Sequence, residues 1–143
     1  MLGLPIKSVI EPRKLVVAAP DQSVSHAVRL MRESAVGAVL VVERGRLVGI
    51  FTERDAVYRV MAADRDPSVT RIEEVMTREP KTVLPDETFG YALVLMHENG
   101  FRHAPVVEDG RLLGVVSARH ALDPDLEEFT AEAERRKNIR RRA

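Results

Sequence analysis

Apolar and polar positions change their period several times along the chain, and the changes mark out the elements. Leu15-Val16-Val17-Ala18 is a short continuous apolar run stopped by Pro20, as in a buried strand. Over residues 23–34 the apolar side chains fall at Val24, Ala27, Val28, Leu30 and Met31, the i, i+3, i+4, i+7 spacing of an amphipathic helix. Ala38-Val39-Leu40-Val41-Val42 is continuous and largely β-branched, which predicts a strand covered on both faces. Glu43-Arg44-Gly45-Arg46 is a turn, residues 47–51 return as a second strand, and Thr52 opens a helix reaching about residue 62. Residues 64–70, which hold Asp66-Pro67-Ser68, read as a connector.

The same order then recurs. Gly49-Ile50-Phe51-Thr52-Glu53-Arg54-Asp55 is echoed by Gly114-Val115-Val116-Ser117-Ala118-Arg119-His120 at an offset of 65 residues. The offset carries Pro20-Asp21 onto Pro85-Asp86, Ala27 onto Ala92, Leu30-Met31 onto Leu95-Met96, and Val41-Val42-Glu43 onto Val106-Val107-Glu108. Ile6 and Val9 pair with Ile72 and Val75 once a single residue is dropped. The second turn contains Asp109-Gly110, a strong hairpin signal because both residues tolerate positive φ. The fold expected is α/β (α+β), with two pseudo-symmetric β-α-β-β-α repeats packed into one compact module. Repeat one spans 1–63, the connector 64–70, repeat two 71–122, and a helix with a basic tail 123–143. A unit of roughly 55 residues buries too little surface to be comfortably stable alone. Two such units facing across a pseudo-two-fold cover each other's open sheet faces. That leaves one cleft per repeat, near the hairpin end and the following helix start, where ligands are favoured.

Composition narrows the function more than it alters the fold. At 45% hydrophobic and 31% charged over 143 residues, the chain is ordinary for a globular protein and too apolar for disorder. Lys plus Arg equals Asp plus Glu at 22 each, so no overall field draws it to nucleic acid or an anionic membrane. The absence of cysteine excludes disulfides, thiolate metal sites and cysteine nucleophiles, and it suits the cytoplasm, the compartment expected here. Residues 1–10 show neither a long apolar run nor a basic flank, so no signal peptide is expected, and no stretch approaches the roughly 18 apolar residues of a membrane helix. Aromatics at 4% argue against a base-stacking surface. His26, His97, His103 and His120 lack metal-ligand spacing, and there is neither a Gly-x-x-x-x-Gly-Lys-Ser/Thr loop nor a Gly-x-Ser-x-Gly elbow. An enzyme is therefore not expected.

In these features the chain resembles a tandem CBS-domain pair, or Bateman module. Gly49-x-x-Thr52-x-x-Asp55 and its variant Gly114-x-x-Ser117-x-x-His120 carry the resemblance. Pro-Asp before each first helix and Arg102-His103-Ala104-Pro105-Val106-Val107 support it, over roughly residues 6–122. With no additional catalytic domain in view, it looks like a stand-alone pair. The resemblance implies an adenine-containing regulatory ligand (AMP, ADP, ATP, S-adenosylmethionine or NAD) and no required cofactor. It implies that the motif carboxylate holds the ribose hydroxyls, that Ser/Thr assists at ribose or phosphate, and that adenine lies against the first strands of the opposite repeat. Carried over, one site comprises Gly49, Thr52, Arg54 and Asp55, with Thr82 and Val83 as adenine wall and Arg102 and His103 toward the phosphates. A weaker mirror site comprises Ser117, Arg119 and His120 with Val17 and Ala18, and there His120 departs from the motif.

Each of these residues also has a reading without a ligand. Thr52 and Asp55 fit a capping box, worth about 1 kcal/mol to the helix start. The alternatives coexist, because a helix N-terminus suits phosphate, and a carboxylate can take both ribose hydroxyls through charged hydrogen bonds of about 1.5–3 kcal/mol each. Arg102 and His103 are either a solvent-facing edge-strand pair or phosphate contacts. Arg54 and Arg119 occupy equivalent first-turn positions that oppose the helix dipole, so each implies an anionic neighbour, protein carboxylate or ligand phosphate. Val57, Val60, Met61, Leu93, Val94 and Met96 exceed what one partner face can cover, which predicts a homodimer. A helix is expected over 125–137, and the basic clusters Arg135-Arg136-Lys137 and Arg140-Arg141-Arg142 touch nucleic acid or acidic lipid, or form a solvated terminus. The function expected is a non-enzymatic sensor of adenine nucleotides acting on an unidentified protein partner. The alternatives are a ligand-free dimerisation or scaffold module and a nucleic-acid-associated regulator using the tail.

Overall fold

The computed structural model describes residues 2–10, 15–122 and 135–139. After a 3-10 turn at Ile6–Ser8, the first half runs β1 (Val17–Ala18), α1 (Val24–Ser34), β2 (Ala38–Glu43), β3 (Arg46–Thr52) and α2 (Glu53–Asp55). The last of these passes into a π-helical stretch at Ala56–Met61, followed by α3 (Ile72–Val75) and β4 (Thr77–Arg78). The second half holds α4 (Phe89–Asn99), β5 (His103–Glu108), β6 (Arg111–Ser117) and a 3-10 turn at Ala118–Ala121.

The turn residues set the two hairpins. Arg44 and Gly45 take φ of 52° and 75°, Asp109 and Gly110 φ of 50° and 77°, the left-handed pair that matches strand twist in a two-residue turn. Around them β1-β2-β3-β4 form one sheet, β1 parallel to β2 and the rest antiparallel, while β5 and β6 form a two-stranded sheet. Val83 bridges Val106 in parallel as Ala18 pairs with Val41, so the 65-residue register holds in space. The first strand expected at 15–18 shrinks to Val17–Ala18, and its counterpart to that single bridge. β4 carries no hydrophobic period, both its residues being exposed, and the sequence did not mark it.

The continuous apolar run in β2 serves two cores at once. Val39 and Val41 join Ala27, Met31, Phe51, Ile72 and Val75 beneath the helices, whereas Ala38 and Leu40 join Ile50 against Leu112 and Val115 of the other sheet. A second helix-side core gathers Phe89, Ala92, Met96, Ala104, Val106 and Val116. The leading segments are exchanged between halves. Ile6 is fully buried in the second core, its N–H donating to Glu87 O (2.9 Å), and Ile72 is fully buried in the first, its N–H donating to Gln22 O (2.9 Å). The sequence repeats thus keep their register while each closes its core with the other's first turn.

Two expectations change here. The helix from Thr52 is α-helical only to Asp55; beyond it Ala62 N–H donates to Val57 O, five residues back (2.8 Å), and the widened turns bury Val60 while leaving Val57, Tyr58 and Met61 outside. Val60 and Met96, expected on a dimer face, are 2% and 3% exposed and belong to the cores. Of the helix expected over 125–137, residues 125–134 lie outside the described residues, and residues 135–139 are helical.

Candidate functional site

β3 delivers Thr52 in extended conformation (φ −115°, ψ 163°), and the helix begins at Glu53. Thr52 Oγ1 accepts from Asp55 N–H (3.2 Å), and Asp55 Oδ2 accepts from Thr52 N–H (2.9 Å) and from the Thr52 hydroxyl (3.1 Å). The capping box is therefore complete in the protein alone. Asp55 is only 9% exposed. Its Oδ1 lies 3.4 Å from Arg59 Nε, and the Arg59 guanidinium also donates to the carbonyls of Val75 (3.2 Å) and Met76 (3.1 Å). A carboxylate offers about four acceptor positions, so Oδ1 retains acceptor capacity beside Arg59. Sequence reasoning missed Arg59, whose signal was the i, i+4 spacing from Asp55.

Gly49 has a packing role. A Cβ there would overlap the Met76 thioether and stand 3.0 Å from Thr77 O, so its absence lets β4 lie against β3. Gly114 is its mirror, where a Cβ would meet Ile10 Cδ1 at 2.9 Å.

In the second half Ser117 Oγ accepts from Arg119 N–H (3.1 Å), and Ser117 N–H donates to His120 Nδ1 (2.9 Å). His120 thus takes the helix-start place of the Asp55 carboxylate. A neutral imidazole accepting at Nδ1 carries its proton on Nε2, whereas the Asp55 carboxylate carries none.

Between the two helix starts, Glu53 Oε1 lies 3.3 Å from Arg119, an ion pair joining the halves. The anion implied by Arg119 is this protein carboxylate. Arg54 donates to Gly100 O (3.3 Å), its guanidinium 5.7 Å from the Tyr58 ring centre. His103 does not face solvent as an edge-strand residue would; it is half-buried, and burial, then Arg119, His120 and Arg102, push its pKa down to about 4. It is neutral at pH 7, while Arg102 is exposed. Of the adenine walls, Val83 (1% exposed) and Ala18 (5%) are core side chains, whereas Thr82 and Val17 are exposed. A cleft of about 330 Å³ opens between Arg54, Leu93, Met96, Phe101, Arg102 and Ala118. Among the described residues no cluster of His, Asp and Glu could hold a metal ion, and no helix is long and apolar enough to cross a membrane.

The fold and motif place this chain in a known class. The CBS-domain family profile matches residues 6–62 and 72–125, and the chain belongs to that family. It is 37% identical over 133 residues to a 17.7 kDa protein of Acidianus ambivalens, covering 89% of this chain and 79% of that one. Against three longer CBS domain-containing proteins of Arabidopsis thaliana it spans 58%, 20% and 18% of their lengths. Its fold is similar to that of a conserved protein of Pyrococcus horikoshii, with a TM-score of 0.80 and 30% identity over 87% of this chain and 94% of that one. It is also similar to the CBS domain pair of protein MJ0100, solved with 5-methylthioadenosine and S-adenosyl-L-methionine, with a TM-score of 0.73 and 25% identity over 82% and 96%.

Proposed function

We propose that this protein is a non-enzymatic sensor that binds an adenine nucleotide between its two repeats. Asp55 and Thr52 hold the ribose, and Arg54, Arg102 and His103 lie toward the phosphates. The observation that carries the reading is the Asp55 carboxylate, nearly buried at a helix start in a motif repeated in register. Support also comes from the MJ0100 pair, whose ligands are adenosine derivatives. Signalling is a population shift: a ligand touching both repeats favours one arrangement of the sheets across the Leu40–Val115 core and the Glu53–Arg119 pair, by no more than its difference in affinity for the two states.

The unit is proposed to be a homodimer. Tyr91 and Val94 on the outer side of α4 are 48% and 54% exposed, and Val57, Tyr58 and Met61 beyond α2 are exposed as well; the counterparts of Tyr91 and Val94 on α1, at the same offset, are the polar His26 and Arg29. Two helices with the same fold role but opposite surface chemistry point to a partner on the α4 side. A specific observation favours a second reading, a scaffold whose clefts stay empty: the capping box is already satisfied.

Thermal unfolding with AMP, ADP, ATP, S-adenosylmethionine and NAD separates the readings. A saturating ligand at about 100-fold its Kd adds about 2.7 kcal/mol and raises Tm. A flat response to all five leaves the scaffold.

A further inference from the structure

Arg59 joins pieces of the molecule that lie far apart in the chain. It stands in the π-helical stretch Ala56–Met61, about one turn after Asp55. Its Nε lies 3.4 Å from Asp55 Oδ1, and one terminal nitrogen donates to Val75 O (3.2 Å) and Met76 O (3.1 Å). Those carbonyls sit at the C-terminal end of α3, where the helix supplies no donor for them. β4 starts at the next residue and pairs with β3 at Gly49 and Ile50, just ahead of Thr52. The contacts close a ring from Asp55 through Arg59, Met76, β4 and β3 to Thr52, and back to Asp55 by the capping box. β4 is its weakest member. Both its residues are exposed, it is the outer strand of its sheet, and Glu79 N–H just beyond it reaches Val48 O at 3.3 Å. The second repeat lacks the residues for such a ring. At the 65-residue offset Asp55 corresponds to His120, and Arg59 to Pro124, whose side chain carries no donor.

We propose that Arg59 is a positioning residue that reports the state of the Asp55 carboxylate to β4. With the carboxylate free, its charge orients the guanidinium, and the guanidinium braces the corner between α3 and β4. A ligand hydroxyl donating to the carboxylate takes part of that charge. The Arg59 side chain, already 51% exposed, then turns toward water, and the corner and β4 loosen from β3. Arginine suits the task because its rigid fork holds a carboxylate and two carbonyls together, which the single ammonium of lysine cannot do. The signal leaves the site along one edge of the four-stranded sheet, and from the first repeat alone. The ligand's part rests on the reading above; the link from Asp55 to β4 in the free protein does not.

The test is amide hydrogen exchange of the full chain by NMR, read at Glu79 and, as a control for global stability, at Leu40, whose N–H donates to Val16 O (2.9 Å). Asp55→Asn keeps an oxygen for Thr52 N–H but sets an uncharged amide against Arg59. It and Arg59→Gln should each speed Glu79 exchange roughly fivefold relative to Leu40, the weight of an ion pair with one half-exposed partner. The double variant should be no faster than the larger single one, because both cut the same link. Saturating AMP should speed Glu79 in wild type and leave it unchanged in Arg59→Gln. If Arg59→Gln speeds Glu79 but Asp55→Asn does not, Arg59 is a plain brace and the proposal falls. It falls too if the two variants add, or if Glu79 and Leu40 rise together. If AMP binds by calorimetry and Glu79 keeps its rate, the nucleotide reading stands and this relay falls. If both variants loosen β4 while AMP, ADP, ATP, S-adenosylmethionine and NAD all fail to bind, the relay stands and the nucleotide reading falls.

Discussion

Replacing Asp55 separates its helix-capping role from its proposed ligand role, because the two use different properties of the carboxylate. Asp55→Ala removes the acceptor for Thr52 N–H and the 3.4 Å pairing with Arg59, on a side chain only 12% exposed. Loss of the cap costs about 1 kcal/mol, and an ion pair with one half-exposed partner adds up to about 1 kcal/mol. A loss of about 2 kcal/mol in urea unfolding is expected, which in a chain of this size lowers Tm by roughly 4–8 °C. Asp55→Asn keeps a carbonyl oxygen for Thr52 N–H and gives up only the charge, so its loss should be about 1 kcal/mol. Toward a nucleotide the order differs. Both variants lose a charge-assisted hydrogen bond of about 1.5–3 kcal/mol to ribose, roughly a 10- to 150-fold weaker Kd by calorimetry. Asp55→Asn should therefore lose about half as much stability as Asp55→Ala while losing the ligand to the same extent. Wild-type affinity in Asp55→Asn would refute the assignment, as would AMP found only beside His120, where Nδ1 is already engaged by Ser117. Conversely, His120→Asp should tighten that second side.

Three further outcomes are expected. His103, with its pKa lowered to about 4 from 6.5, stays neutral in the fold while the unfolded chain takes up a proton. Its share of stability is complete above pH 6.5 and falls as pH drops toward 4; between pH 7 and pH 5 wild type should lose about 2 kcal/mol more than His103→Gln in urea unfolding, and equal losses would contradict the burial argument. Ala35 ends α1 in the left-handed region at φ 53°, where its counterpart Gly100 ends α4 at φ 72°. Ala35→Gly should stabilise by about 0.5–1 kcal/mol, the relief of left-handed strain exceeding the entropy glycine gains when unfolded. Val94→Arg copies Arg29 onto the outer side of α4 and should turn the proposed dimer into a monomer by light scattering; a wild-type monomer at micromolar concentration would refute the dimer itself.

The local period of the chain was enough for its main elements, α1, α4 and the two hairpins, because such strands and helices announce themselves through near neighbours, whereas β4 and the π-helical turns did not. The gapless offset from Pro20 to His120 made the repeat, both hairpin turns and the Thr52–Asp55 box legible, and the family followed from them. Tertiary structure decided whatever depends on residues far apart in the chain. Ile6 and Ile72 look like leading residues of their own repeats, yet each closes the opposite core, since only the folded geometry brings the segment ends together. Val60 and Met96 carry the same apolar signal as Val57 and Val94, and only the packing of the halves separates core from surface. The Glu53–Arg119 pair, the neutral His103 and the Arg54–Gly100 contact arise likewise, because charge and hydration are set by what surrounds a side chain in space.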